Sequence, residues 1–180
     1  MFGSGSSSLR LGFEAILDDL EFDPARTEEF EAAFHKLGYI LGLGSQRPEL
    51  ELAKGPDNLW ALGGGQYWVV EVKSGATSAK IGKRDAAQLA ASTLWFDQSY
   101  SDTCSATPVL IHPADTLFPN ASAPAGTQVL TQKGMKNLVE NVRAFGISLA
   151  PVDRSDNNVV GSLLAGHHLT VEDLAIYLRP

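Results

Sequence analysis

Three consecutive glycines, Gly63-Gly64-Gly65, separate two segments of strand character, residues 58–62 (Asn-Leu-Trp-Ala-Leu) and 66–73 (Gln-Tyr-Trp-Val-Val-Glu-Val-Lys). Aromatic and β-branched residues favour a pleated, half-buried surface. Glycine tolerates the left-handed backbone that a tight hairpin turn requires. The two segments are therefore expected to pair as an antiparallel hairpin. A turn centred on Gly64 sets Leu62 opposite Gln66, Ala61 opposite Tyr67 and, further out, Asp57 opposite Glu71. Alternation along the second strand places Glu71 and Lys73 on one face and Trp68, Val70 and Val72 on the other, the core face. Trp60 joins the core face as well.

The hairpin lies within a helix–strand alternation. Asp23-Pro24 predicts a helix start, since Asp caps well and Pro suits the first helical position. Phe30, Ala33, Phe34, Leu37 and Leu41 follow at helical spacing. Residues 83–96 predict a second helix and 107–112 a short buried strand stopped by Pro113. Residues 132–145 predict a third helix and 146–152 a short last strand. Thr170 is expected to cap a terminal helix over 171–178. This order predicts an α/β fold with a central mixed sheet flanked by helices. A length of 180 residues suits one domain, expected over 9–180 with a C-terminal helical extension over 151–180. Residues 1–8 are Gly/Ser-rich, lack the apolar core of a secretory signal, and read as a flexible leader.

The net charge of −7 speaks against a purely electrostatic nucleic-acid binder. Its distribution qualifies that reading. Acid is dense over 14–31, whereas base gathers at Lys73, Lys80, Lys83 and Arg84. No apolar run reaches the roughly 18 residues of a membrane helix, so no membrane association is expected. The single cysteine, Cys104, excludes an internal disulfide, and no Cys/His set has zinc-site spacing. A cytoplasmic setting is the simplest expectation.

If the register holds, Asp57, Glu71 and Lys73 converge on one patch. Two facing carboxylates repel unless a cation joins them. Mg²⁺ prefers carboxylate oxygen, keeps several waters and accepts phosphate as a ligand. It lowers the pKa of a bound water, and a neighbouring lysine can orient or deprotonate that water. An ordinary ion pair on a solvated strand is the competing reading of Glu71 and Lys73. Lys80, Lys83 and Arg84, ahead of the second helix, can bind nucleic-acid phosphates near that patch or simply form a solvated face.

Gly55-Pro56-Asp57-Asn58-Leu59-Trp60, followed by Val69-Val70-Glu71-Val72-Lys73, resembles the PD-(D/E)XK, restriction-endonuclease-like nuclease superfamily. The likeness covers roughly residues 23–150. It is to the nuclease-like domains attached to bacterial helicases and defence systems. The resemblance implies a restriction-endonuclease-like core and Mg²⁺-dependent hydrolysis of DNA phosphodiester bonds, with Mn²⁺ as a substitute ion. Asp57 and Glu71 would hold the metal and Lys73 would position the water. The family also places a glutamate on the preceding helix, which Glu31 matches as a further metal ligand. Periodicity alone leaves Glu29 and Glu31 equivalent, and a surface glutamate remains open. A family glutamine after the lysine is matched by Gln88, otherwise an exposed helical glutamine. A helicase or other defence-system component is the implied partner. The alternative is a catalytically inactive module of the same type that binds DNA or a protein.

Other motifs carry less. The stretch from Gly75 to Gly82-Lys83 has the wrong glycine spacing for a phosphate loop. His167-His168 lacks a third ligand nearby, and His35, four residues after Glu31, reads as structural.

Overall fold

The computed structural model describes residues 3–180, with side chains from Ser8 onward. Its centre is a five-stranded sheet in the order β1 (Gly44–Gln46), β2 (Asn58–Gly63), β3 (Gln66–Val72), β4 (Ser105–Ile111) and β5 (Gln128–Leu130). β2 runs antiparallel to its neighbours β1 and β3, whereas β3, β4 and β5 are parallel. The sheet is thus mixed, and helices cover both faces.

On one face Trp60, Trp68, Val70, Val72, Val109, Ile111 and Leu130 are buried against α2 (Thr27–Ile40) and α5 (Gln132–Leu149). Phe34, Trp60 and Trp68 form a stack there, with ring centroids 4.2 and 5.6 Å apart. On the other face Leu59 and Val69 pack on Phe96 of α4 (Lys83–Ser99), and Leu110 and Val129 pack on Ile81 and Leu89. The predicted core face of β3 is therefore correct, and the opposite face is buried too. This near-complete burial leaves β3 with few polar positions, so Glu71 is conspicuous on it.

Several elements differ from the expectations. α2 starts at Thr27, not at Pro24. Asp23 instead closes a local turn, its Oδ1 accepting the Ala25 amide, and Pro24 lies against Gly75, where a Cβ would stand 3.0 Å from its Cα. The expected strand over 146–152 is absent: residues 146–149 are the last turn of α5, and 150–152 turn away from it. Met135, Leu138, Val142, Phe145 and Leu149 make one continuous buried stripe, and Gly146 admits the ring of Phe13. α1 (Gly3–Leu17) takes in most of the segment read as a leader and packs on α5, where Arg143 Nε donates to Glu14 at 2.9 Å.

The C-terminal region is more than an appended helix. α6 (Asn157–Gly166) begins at Asp156, whose carboxylate accepts the Asn158 and Val159 amides. The helix expected over 171–178 is a single 3-10 turn, Leu174–Tyr177, and Thr170 donates to Asp173 rather than capping a helix. Leu169, Leu174, Tyr177 and Leu178 are buried in the main core, and Arg179 exchanges backbone hydrogen bonds with Val129 of β5. Among the described residues, no helix is long and apolar enough to cross a membrane.

Candidate functional site

The β2–β3 hairpin positions the site. Ala61 pairs with Tyr67, Trp60 with Trp68, Leu59 with Val69 and Asn58 with Val70. Continuing that register by one residue sets Asp57 opposite Glu71, as expected. The turn itself differs: Gly63, not Leu62, pairs with Gln66, and a bulge between Ala61 and Gly63 absorbs the one-residue slip. Gly63, Gly64 and Gly65 all have positive φ (95°, 58° and 76°), which only glycine adopts at little cost.

Asp57 and Glu71 are both buried. Asp57 Oδ2 accepts the Val72 amide at 2.7 Å, which holds the carboxylate against β3. Glu71 Oε1 accepts the Ser92 hydroxyl of α4 at 2.6 Å. Lys73 Nζ lies 3.4 Å from Glu71 Oε2 and 4.0 Å from Asp57 Oδ2. The predicted convergence of Asp57, Glu71 and Lys73 is thus present as one ion-paired cluster.

Two further carboxylates crowd this cluster. Glu31 of α2 and Glu49 of α3 (Pro48–Leu52) line a cleft of about 650 Å³ that reaches Asp57. Burial, then the Asp57 charge, raises the Glu71 pKa to about 7, although Ser92 and Lys73 favour its ionised form. Glu49 is also raised to about 7, first by hydrogen bonding with Asp57 and then by partial burial. Burial and Asp57 raise Glu31 as well, against the opposing effect of Arg47.

The other predicted residues are placed less centrally. The Glu31 carboxylate pairs with Arg47, whose Nη2 lies 2.7 Å from Oε2, while it also lines the cleft that reaches Asp57. Gln88 is exposed on α4, one turn before Ser92, and Ser92 is the α4 side chain that contacts Glu71. Lys80, Lys83 and Arg84 are exposed around the start of α4. His35 bonds Ser45 of β1 through Nδ1 at 3.0 Å, a structural role. His167 Nε2 is 2.9 Å from the Ser148 hydroxyl.

Arg47, Glu49 and Ser92 escaped the sequence reading. Ser92 had a legible signal, since it follows Gln88 by one helical turn on the same face. Arg47 and Glu49 had none, because β1 and α3 are too short to show a period.

Among the described residues, no three His, Cys, Asp or Glu side chains are grouped as ligands for one metal ion. Asp57 and Glu71 nevertheless suit Mg²⁺ as a pair. They are hard oxygen donors, mutually repelling and buried, and Mg²⁺ characteristically takes one or two carboxylates and fills its remaining positions with water.

No family model matches the chain, and neither a curated protein nor a solved structure matches it. Fold and site together define a mixed α/β protein with a buried carboxylate–lysine cluster at the end of its central hairpin.

Proposed function

We propose that this chain is a metal-dependent nuclease that hydrolyses DNA phosphodiester bonds in the cytoplasm, as a domain or partner of a helicase or defence system. The observation that carries this reading is the placement of Lys73 Nζ within 4.0 Å of both Asp57 and Glu71. The likeness to the PD-(D/E)XK motif and the mixed α/β sheet support it further. Asp57 and Glu71 would hold Mg²⁺, which supplies an acidified water and offsets phosphate charge. Lys73 Nζ, with three donors, orients the attacking water and stabilises the charge that develops on the phosphate oxygens. Water oxygen joins phosphorus as the P–O bond to the leaving nucleotide breaks, and a proton passes to the leaving oxygen. The Val72 amide fixes the Asp57 carboxylate, and Ser92 fixes Glu71. Lys80, Lys83 and Arg84 supply exposed positive charge for the strand backbone.

One observation favours a second reading. Lys73 already neutralises part of the carboxylate charge within the protein, which suits a catalytically inactive module that binds DNA or a protein. Incubation of single-stranded, double-stranded and branched DNA with Mg²⁺ or Mn²⁺ separates the two. Metal-dependent cutting, abolished in Lys73→Ala and Asp57→Asn, is the expected result. Intact DNA under all these conditions, with no heat of Mg²⁺ binding, would refute the nuclease reading.

A further inference from the structure

The connection between β4 and β5, residues 112–127, contains neither helix nor strand. An irregular connection of that length is uncommon in a compact domain and usually carries a binding function. It is pinned in place. The Ile81 amide donates to the Thr116 carbonyl at 2.8 Å and the Phe118 amide to the Ile81 carbonyl at 3.0 Å, so Ile81 and Leu117 form a parallel bridge. Held there, the segment closes one side of a pocket of about 250 Å³ against α4, β4 and β5.

The pocket walls are apolar: Ile81, Ala86, Leu89, Leu110, Leu117 and Val129. Thr127 and Asp115 add polar atoms to the lining. Thr127 is committed, its Oγ1 donating to the Pro124 carbonyl at 2.7 Å. Asp115 is exposed, and its Oδ1 accepts the Thr116 hydroxyl at 3.2 Å. An ionised carboxylate offers about four acceptor sites, so that one bond leaves room for further donors. Lys80 and Lys83, which flank Ile81 in the chain, are exposed, as is Arg84.

An apolar pocket, an acceptor in its lining and a cationic surface thus adjoin. A nucleotide has the matching parts: apolar ring faces, a donor on the ring edge and a phosphate. The volume falls below the roughly 300–1,000 Å³ of ordinary ligand pockets, which suits one base rather than a larger cofactor. Cytosine matches the acceptor, because its N4 amino group donates to a carboxylate. Thymine is of similar size but presents the O4 acceptor there, which a carboxylate repels. Resting on the reading of this chain as a protein that acts on DNA, we propose that the pocket receives one cytosine base of a DNA strand, with Asp115 accepting its amino group and Lys80, Lys83 and Arg84 holding the adjoining phosphates.

Chemical-shift titration of the intact protein in EDTA tests this, with dCMP, dTMP and inorganic phosphate as probes. The wild type is expected to bind dCMP about tenfold more tightly than dTMP, with shifts at Leu89, Leu110 and Leu117. Oligothymidylate with one central cytosine is expected to show the same preference over oligothymidylate alone. Asp115→Asn alters an exposed side chain and is expected to bring the dCMP-to-dTMP ratio within about twofold of unity. Equal binding of dCMP and dTMP by the wild type, or of dCMP and inorganic phosphate, would overturn the inference. So would a preference that Asp115→Asn leaves unchanged, or one shown by dCMP but not by the oligonucleotides. EDTA removes metal-dependent cutting from the measurement, so failure here is distinct from failure of the nuclease reading, which the cleavage assay decides.

Discussion

The Asp57 carboxylate accepts the backbone amide of Val72 at 2.7 Å. Val72 lies between Glu71 and Lys73, so this one bond sets Asp57 beside both functional side chains. It also has a structural consequence. Asp57→Ala leaves the buried Val72 amide without its acceptor and is expected to cost about 1–3 kcal/mol. Asp57→Asn keeps an acceptor oxygen, removes the charge that opposes Glu71, and is expected to cost less. Urea denaturation of both variants checks the order.

Glu71 makes stability depend on pH. Its pKa rises from 4.5 to about 7 on folding, chiefly through burial and then through the Asp57 charge. Between those values the folded state binds more protons than the unfolded state, so this group's contribution falls as pH rises from about 4.5 to 7 and levels off above. Glu71→Gln abolishes that loss. In chelator at pH 8 the variant is expected to be more stable than wild type by on the order of 1–3 kcal/mol, and the gap should close by pH 4. Chemical denaturation across that range reads the sign directly.

Mg²⁺ should reverse the penalty, because an ion held by Asp57 and Glu71 offsets the repulsion between them. An ion at about 100 times its dissociation constant stabilises by about 2.7 kcal/mol. Thermal unfolding at pH 8 is expected to shift upward with MgCl₂ in wild type, and to remain unmoved in Asp57→Asn and Glu71→Gln.

The candidate catalytic residues should rank unequally. Lys73→Ala and Asp57→Asn are expected to lower DNA cutting by about 10²–10⁴-fold, the range for a lost proton-handling or charge-stabilising group. Glu31→Gln is expected to lower it less, because its carboxylate is engaged by Arg47 at 2.7 Å. Single-turnover cutting rates compare the three.

Gly134 of α5 tests the C-terminal packing. A Cβ there would collide with the Tyr177 carbonyl and stand 3.1 Å from Leu130 Cδ1. Alanine gains about 1 kcal/mol of helix propensity, but overpacking against backbone costs about 1–3 kcal/mol or more. Gly134→Ala is therefore expected to destabilise the protein and to expose the 3-10 turn at Leu174–Tyr177, which limited proteolysis would detect.

The reach of the sequence follows the range of the forces involved. Hairpin register and strand alternation are local, set by a glycine turn and a period of two. They sufficed to bring Asp57, Glu71 and Lys73 together and to assign Trp60 and Trp68 to the core. Even the bulge at Leu62 did not disturb this, because it lies on the turn side of the paired residues.

Other features depend on partners distant along the chain, where pattern gives no measure of distance. The residues of the Ser92–Glu71 bond are 21 positions apart and those of the Arg47–Glu31 bond 16. Packing decided that Glu31 turns to Arg47, that Ser92 reaches Glu71, and that 146–149 continue a helix. It likewise decided that the C-terminal segment joins the core. Local sequence thus determined which groups share a strand face. Tertiary structure alone decided which of their oxygens are already bound, since that depends on how the helices settle against the sheet.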